Sequence, residues 1–133
     1  MDSVELRIAT GSRRVVDVTA EVREYLHGRG DGLCHVFAPH ATAGVALMEV
    51  GAGSEPDLEA ALDRLFPRDG RYRHRHGSTG HGADHLVPAF VSPSLVLAVR
   101  DGQPVLGTWQ SVVLVDPNVD NPDRRLIVSF LPG

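Results

Sequence analysis

The chain has 133 residues with 42% apolar content and a net charge of −4 with histidine neutral; this suits one domain over 1–133 with a real core and argues against a broad nucleic-acid face, which needs clustered basic residues. All 13 basic residues are arginine, and the lack of lysine excludes Schiff-base catalysis and a Walker-type phosphate lysine. A single cysteine, Cys34, excludes an intrachain disulfide and a cysteine-based zinc site within one chain.

The elements follow in chain order. "VELRIA" (4–9) alternates as a strand, "GSR" reads as a turn, and "RVVDVT" (14–19) as a second strand, together a hairpin. Thr19 suits the N-cap of a short helix that Gly28 ends. "GLCHVFAP" (32–39) and "AGVALMEV" (43–50) are apolar strands joined by the tight corner "PHATAG". Cys34 sits inside the first of these and reads as a small apolar filler, with a catalytic thiol as the other reading. Ser54 suits the N-cap of a helix over 55–66, with Leu58, Ala61, Leu62, Leu65 and Phe66 as its buried stripe. Residues 68–82 form a long polar, glycine-rich loop, the kind that is functional or disordered in compact domains. "ADHLVPAFV" (83–91) is a short helix limited by Pro88. Strands follow at 94–99, 109–116 and 126–131, with "PVLG" after the turn at "RDG". The order predicts an α+β fold with mostly antiparallel pairing, as two packed sheets or an open barrel. No apolar run approaches the roughly 20 residues that span a bilayer. The N-terminus also lacks a basic start followed by an apolar core, so a cytoplasmic protein with no membrane partner is expected.

Reactive side chains concentrate in three places: the corner and following strand, with His40, Thr42 and Glu49; the loop "RYRHRHGSTGHGADH", with His74, His76, His81 and His85; and "LGTWQ", with Trp109 and Gln110. If "RYRHRH" runs extended, alternation sends Arg71, Arg73 and Arg75 to one side and Tyr72, His74 and His76 to the other. His81 and His85 share a face only on a helix, which the glycines at 80 and 82 oppose. Histidines with carboxylates suit zinc or a similar metal, or general acid–base work near neutral pH. A solvated loop, a metal site and a metal-free acid–base site all remain open on the residues alone. Trp109 reads as a core or interface anchor or as a pocket wall.

"FAPHATAGVALMEV", "DGRYRHRH", "DHLVPAFVSPSLVLAV" and "DGQPVLGTWQSVVLVD", in this order, resemble the YjbQ-like family from about residue 4 to residue 131. The resemblance implies a two-layer, mostly antiparallel β-sandwich with two to three helices, assembled as a homotrimer. It also implies a histidine-lined cleft near the subunit boundary, with a divalent metal (zinc or magnesium) in some members. Some members are associated with a secondary thiamine-phosphate synthase activity, joining a pyrimidine diphosphate to a thiazole phosphate with release of pyrophosphate. His40 and Thr42 match the corner motif, and Glu49 an acidic position that usually follows an asparagine, here Met48. His74 matches a Tyr-x-His step and His85 the last histidine of an "NAHAHL"-like run, whose earlier histidine falls on Ala83 and whose asparagine falls on His81. Trp109 and Gln110 match directly, and Asp116 stands near a common glutamate.

The resemblance thus implies metal binding or proton transfer by His40, His74 and His85, helped by Glu49 and Gln110. Thr42, Arg71, Arg73 and Trp109 would contact a small phosphorylated molecule. A trimeric module that binds a metal or small anion without turnover is the alternative.

Overall fold

The computed structural model describes residues 1–75 and 77–133. Among them, eight strands form two antiparallel sheets. The larger runs β1 (Asp2–Ala9), β8 (Asp123–Pro132), β3 (Gly32–Phe37), β5 (Ser94–Arg100) and β6 (Gln103–Pro104). The smaller runs β2 (Val15–Asp17), β7 (Ser111–Val115) and β4 (Gly44–Met48). Three α-helices accompany them, α1 (Thr19–Leu26), α2 (Ser54–Leu65) and α3 (His81–Asp84), with a 3-10 turn over Val87–Ala89. None is long and apolar enough to cross a membrane.

Strand alternation builds the first core. Cys34 and Val36 of β3, Leu97 and Val99 of β5, and Leu126, Val128 and Phe130 of β8 point inward against Val45, Val112 and Leu114 of the small sheet and Val22 and Leu26 of α1. Burial pushes the Cys34 thiol up to about 11, which leaves it an inert core side chain. The continuous apolar run of β7 has a separate cause: it is buried on both faces. Its Val113 and Val115 join Val15, Leu62, Phe66, Ala83 and Val87 in a second core between the small sheet and α2, α3 and the 3-10 turn. The fold is α+β as expected, but a helical layer makes three layers of it rather than two.

Local expectations are corrected in four places. β1 and β2 are not a hairpin: β1 pairs β8 from Asp2↔Phe130 to Ala9↔Asp123, and β2 pairs β7. Val15 and Val16 face opposite cores, and only the small sheet, lying between both, can accept them. Thr19 does not cap α1. The Asp17 carboxylate takes the Thr19 backbone N–H at 2.9 Å and its hydroxyl at 2.6 Å, while Thr19 Oγ1 takes the Val112 N–H at 2.8 Å. Ser54 is likewise not the cap of α2: Gly53 holds that position at φ 98, and Glu55 accepts from the Gly51 N–H at 3.1 Å. In the stripe of α2, Leu65 is 68% exposed, past the edge of the second core.

Candidate functional site

The corner between β3 and β4 closes on itself, His40 N–H to the Ala38 carbonyl at 2.9 Å and Ala43 N–H to the His40 carbonyl at 3.2 Å. It is locked to the chain before β5, because Val45 N–H reaches the Ser92 carbonyl at 2.8 Å. A Cβ on Gly44 would stand 2.0 Å from the Val91 carbonyl oxygen, so this approach requires glycine. The lock brings the 85–92 segment alongside the corner, and His85 Nδ1 lies 3.2 Å from the Ala41 carbonyl.

The glycine-rich loop ends in a helix that the sequence opposed. Gly80 at φ 89 occupies the N-cap of α3, a left-handed conformation that only glycine takes freely. Its carbonyl receives the Ala83 N–H at 3.0 Å. His81 and His85 then fall four apart on one face. His85 Nε2 is 2.8 Å from His81 Nε2, and the His74 ring packs 4.4 Å from that of His85, centroid to centroid. One ligand atom from each of His74, His81 and His85 lies within 4.8 Å of the others. A carbonyl only accepts, so Ala41 fixes the proton of a neutral His85 on Nδ1 and leaves Nε2 a lone pair aimed at the cluster. Tetrahedral zinc–nitrogen bonds of about 2.0–2.1 Å need three converging nitrogens of this kind, and outer-shell carbonyls commonly orient such histidines. The donor set therefore fits a zinc-class ion. Without one, His81 Nε2–H donates to His85 Nε2.

Beneath the cluster, Asp84 is fully buried. Burial pushes its carboxyl up to about 6, against the pull of Arg68. Arg68 ion-pairs with Asp84 and donates to the Pro117 carbonyl at 3.1 Å, tying α3 to the end of β7. A cavity of about 200 Å³ opens beside the cluster, with Tyr72, His74, Arg75, Ser78 and His81 among its walls. Tyr72 is half-buried and donates to the Pro67 carbonyl at 2.7 Å. His76 lies outside the described residues.

The remaining sequence candidates sit elsewhere. His40 Nε2 accepts the Arg125 backbone N–H at 2.9 Å, so His81, not His40, stands third in the imidazole cluster. Burial and the neighbouring Arg124 hold His40 below its usual 6.5. Thr42 is buried and donates to Asp116 Oδ1 at 2.8 Å. Arg71 is exposed and folds onto Asp69, two residues back, at 2.8 Å. Arg73 and Glu49 are exposed. Gln110 turns back on its own loop, where its carboxamide oxygen accepts the Gly107 N–H at 2.8 Å. Trp109 is 73% exposed.

Two residues of this region are absent from the sequence candidates, Asp84 and Arg124. Arg124 was legible. Leu126, Val128 and Phe130 alternate inward, and the same parity carried back two residues puts Arg124 inside. Starting the strand at 126 hid it. For Asp84 the sequence offers no comparable signal.

Fold and site together define a small α+β protein with a three-imidazole cluster at a sheet corner. The family described as "UPF0047 protein YjbQ-like" matches residues 4–133. A UPF0047 protein of Mycobacterium tuberculosis is 60% identical over 133 residues, all of both chains. YugU of Bacillus subtilis is 30% identical over 90% of this chain and 91% of its own. Among solved structures, a hypothetical protein of Aeropyrum pernix superposes with a TM-score of 0.89 at 30% identity, covering all of both chains. A protein of unknown function from Sulfolobus solfataricus gives 0.90 at 24%, covering 99% of this chain and 97% of its own, a likeness of fold alone. The chain belongs to the YjbQ-like UPF0047 family.

Proposed function

We propose that the protein binds a zinc-class divalent ion through His74, His81 and His85 and acts there on a small phosphorylated molecule. The observation that carries this reading is the convergence of three ring nitrogens within 4.8 Å, one of them oriented by the Ala41 carbonyl. Bound there, such an ion supplies Lewis acidity to phosphoryl oxygens and neutralises charge on a leaving diphosphate. The reaction class is that of thiamine-phosphate synthase: the pyrimidine carbon bonds to the thiazole nitrogen as diphosphate leaves with its electron pair. Arg75 and Ser78 line the adjoining cavity and offer donors to phosphate oxygens. Magnesium fits less well, since it prefers oxygen ligands.

The proposed assembly is a homotrimer. The outer face of the large sheet exposes Leu33, Val96, Val105 and Leu131, and a contiguous apolar face of this kind marks an interface. Trp109 and Phe90 are each 73% exposed and suit the same use.

One observation favours the alternative, a binding module without turnover: Gln110 is engaged by its own loop, leaving the expected catalytic set ungathered within one chain. Metal content by mass spectrometry, on tag-free wild type, His81→Ala and His85→Ala, tests the reading. About one zinc per chain, lost in both variants, is expected; no uptake after incubation with zinc overturns it. Product assays on the loaded protein then separate enzyme from binder.

A further inference from the structure

A second polar cluster gathers on His40 and Thr42 of the corner, on different atoms from the imidazole trio. Arg124, near the start of β8, is 6% exposed and Asp116 is 2% exposed. Arg124 Nε lies 2.7 Å from Asp116 Oδ2. Its N–H is not aimed along that line, so the attraction is Coulombic rather than a formed hydrogen bond. Arg124 Nη2 donates to Thr42 Oγ1 at 3.3 Å, and Asp116 Oδ1 is held by Thr42 and by the Asn118 N–H at 3.0 Å. The guanidinium is thus gripped along one edge. Its remaining nitrogen, Nη1, stands 3.4 Å from His40 Nδ1.

The proton positions there follow from chemistry. The Arg125 backbone N–H can only donate, and it points at His40 Nε2, so Nε2 is an acceptor. In the neutral ring, Nδ1 therefore carries the hydrogen. A guanidinium nitrogen offers no lone pair. With the hydrogen on Nδ1, the Nη1–H that faces it across 3.4 Å finds no acceptor there, and the ring N–H finds none on the guanidinium. Two donors 3.4 Å apart can share one acceptor about 2.8–3.0 Å from each. His40 is half-buried and not fully enclosed.

We infer that His40 Nδ1–H and Arg124 Nη1–H form an oxyanion-binding site for the phosphate or carboxylate group of a small molecule. The Asp116 carboxylate offsets the charge of Arg124, so selectivity comes from donor direction and binding of a lone anion is weak. The site is one residue from Ala41, whose carbonyl orients His85. The inferred site rests on the reading above for the class of ligand, but it requires no metal.

Long-range proton–nitrogen NMR of the histidine rings, on metal-free protein titrated separately with inorganic phosphate and with acetate, tests the inference. Saturable movement of the His40 Nδ1 signal by phosphate is expected; movement by acetate alone assigns the site to carboxylates. The paired variant Arg124→Gln/Asp116→Asn avoids stranding a buried charge and should weaken the response at least about tenfold. His85→Ala should leave it unchanged while abolishing zinc uptake. No movement of His40 by either anion, with only water at the site, overturns the inference, as does an unaltered response in the paired variant. A His40 response in protein that takes up no zinc sinks the metal reading and leaves this one standing.

Discussion

His40 and Arg124 show how much one side chain's surroundings decide. Both belong to buried or half-buried polar groups that must be satisfied or paired. Removing Asp116 alone would strand the Arg124 charge at a cost of about 3–5 kcal/mol, which is why the two are best replaced together. His40 also makes stability depend on pH. Burial and Arg124 lower its value from 6.5, and Asp116 opposes them. The native state therefore binds this proton less readily than the unfolded chain. The stabilisation is fully present above the unfolded value and is lost as pH falls through the lowered native one. In urea melts at about pH 7, 6 and 5, wild type should lose more stability than His40→Gln; parallel losses would remove His40 from the account. His40 and Thr42 were picked out by their motif in the sequence. Their actual partners, Asp116 and Arg124, are 74 and 82 residues away from Thr42, beyond the reach of any local pattern.

At the scale of elements, α3 is the piece on which the imidazole cluster depends. It is a single turn of four residues, too short to be stable by propensity, so its placement comes from its ends and its underside. Gly80 supplies the left-handed entry, and a Cβ there would lie 2.7 Å from Arg68 Cβ. Gly80→Ala should cost about 1–2 kcal/mol from the backbone alone, with further loss from the Arg68 overlap. Zinc affinity should fall in the same variant, because His81 leads the helix and His85 follows it. Calorimetric melting together with zinc titration checks this; unchanged affinity would mean that α3 does not position the ligands. The glycines flanking His81 argue against helix by propensity; here Gly80 works as a cap, and Gly82 sits inside the turn where a Cβ would lie 2.8 Å from the His74 carbonyl oxygen, so packing rather than propensity places it. The longer elements were easier to read, since α2 and the strands of the large sheet carry clear periodicity.

Among the described residues, one face of the large sheet stands uncovered. Leu33 of β3 sits opposite Leu131 of β8 and Ala98 of β5, so an apolar strip crosses three strands. If this face carries the homotrimer contact, sedimentation should give three copies of the 14.3 kDa chain, and Leu33→Glu should shift the species to a monomer, since a buried unpaired charge opposes association. A wild-type monomer would remove the trimer from the proposal, and an intact trimer in the variant would move the contact elsewhere.

The sequence by itself determined the α+β class, most strand positions and the long helix, because hydrophobic alternation and periodicity are local and strong. It also determined the family, through motifs carried in order along nearly the whole chain, and it marked His74 and His85 within a biased loop. Tertiary structure decided the rest. It set which sheet each strand joins, since a three-residue strand such as β2 takes its partner from the two cores it must fill. It formed the third layer, and it exchanged His40 for His81 in the imidazole cluster. The reason is common to all of these: they depend on contacts between distant segments, above all the approach of Val91 to Gly44 and of Arg68 to Gly80, which spacing along the chain does not encode.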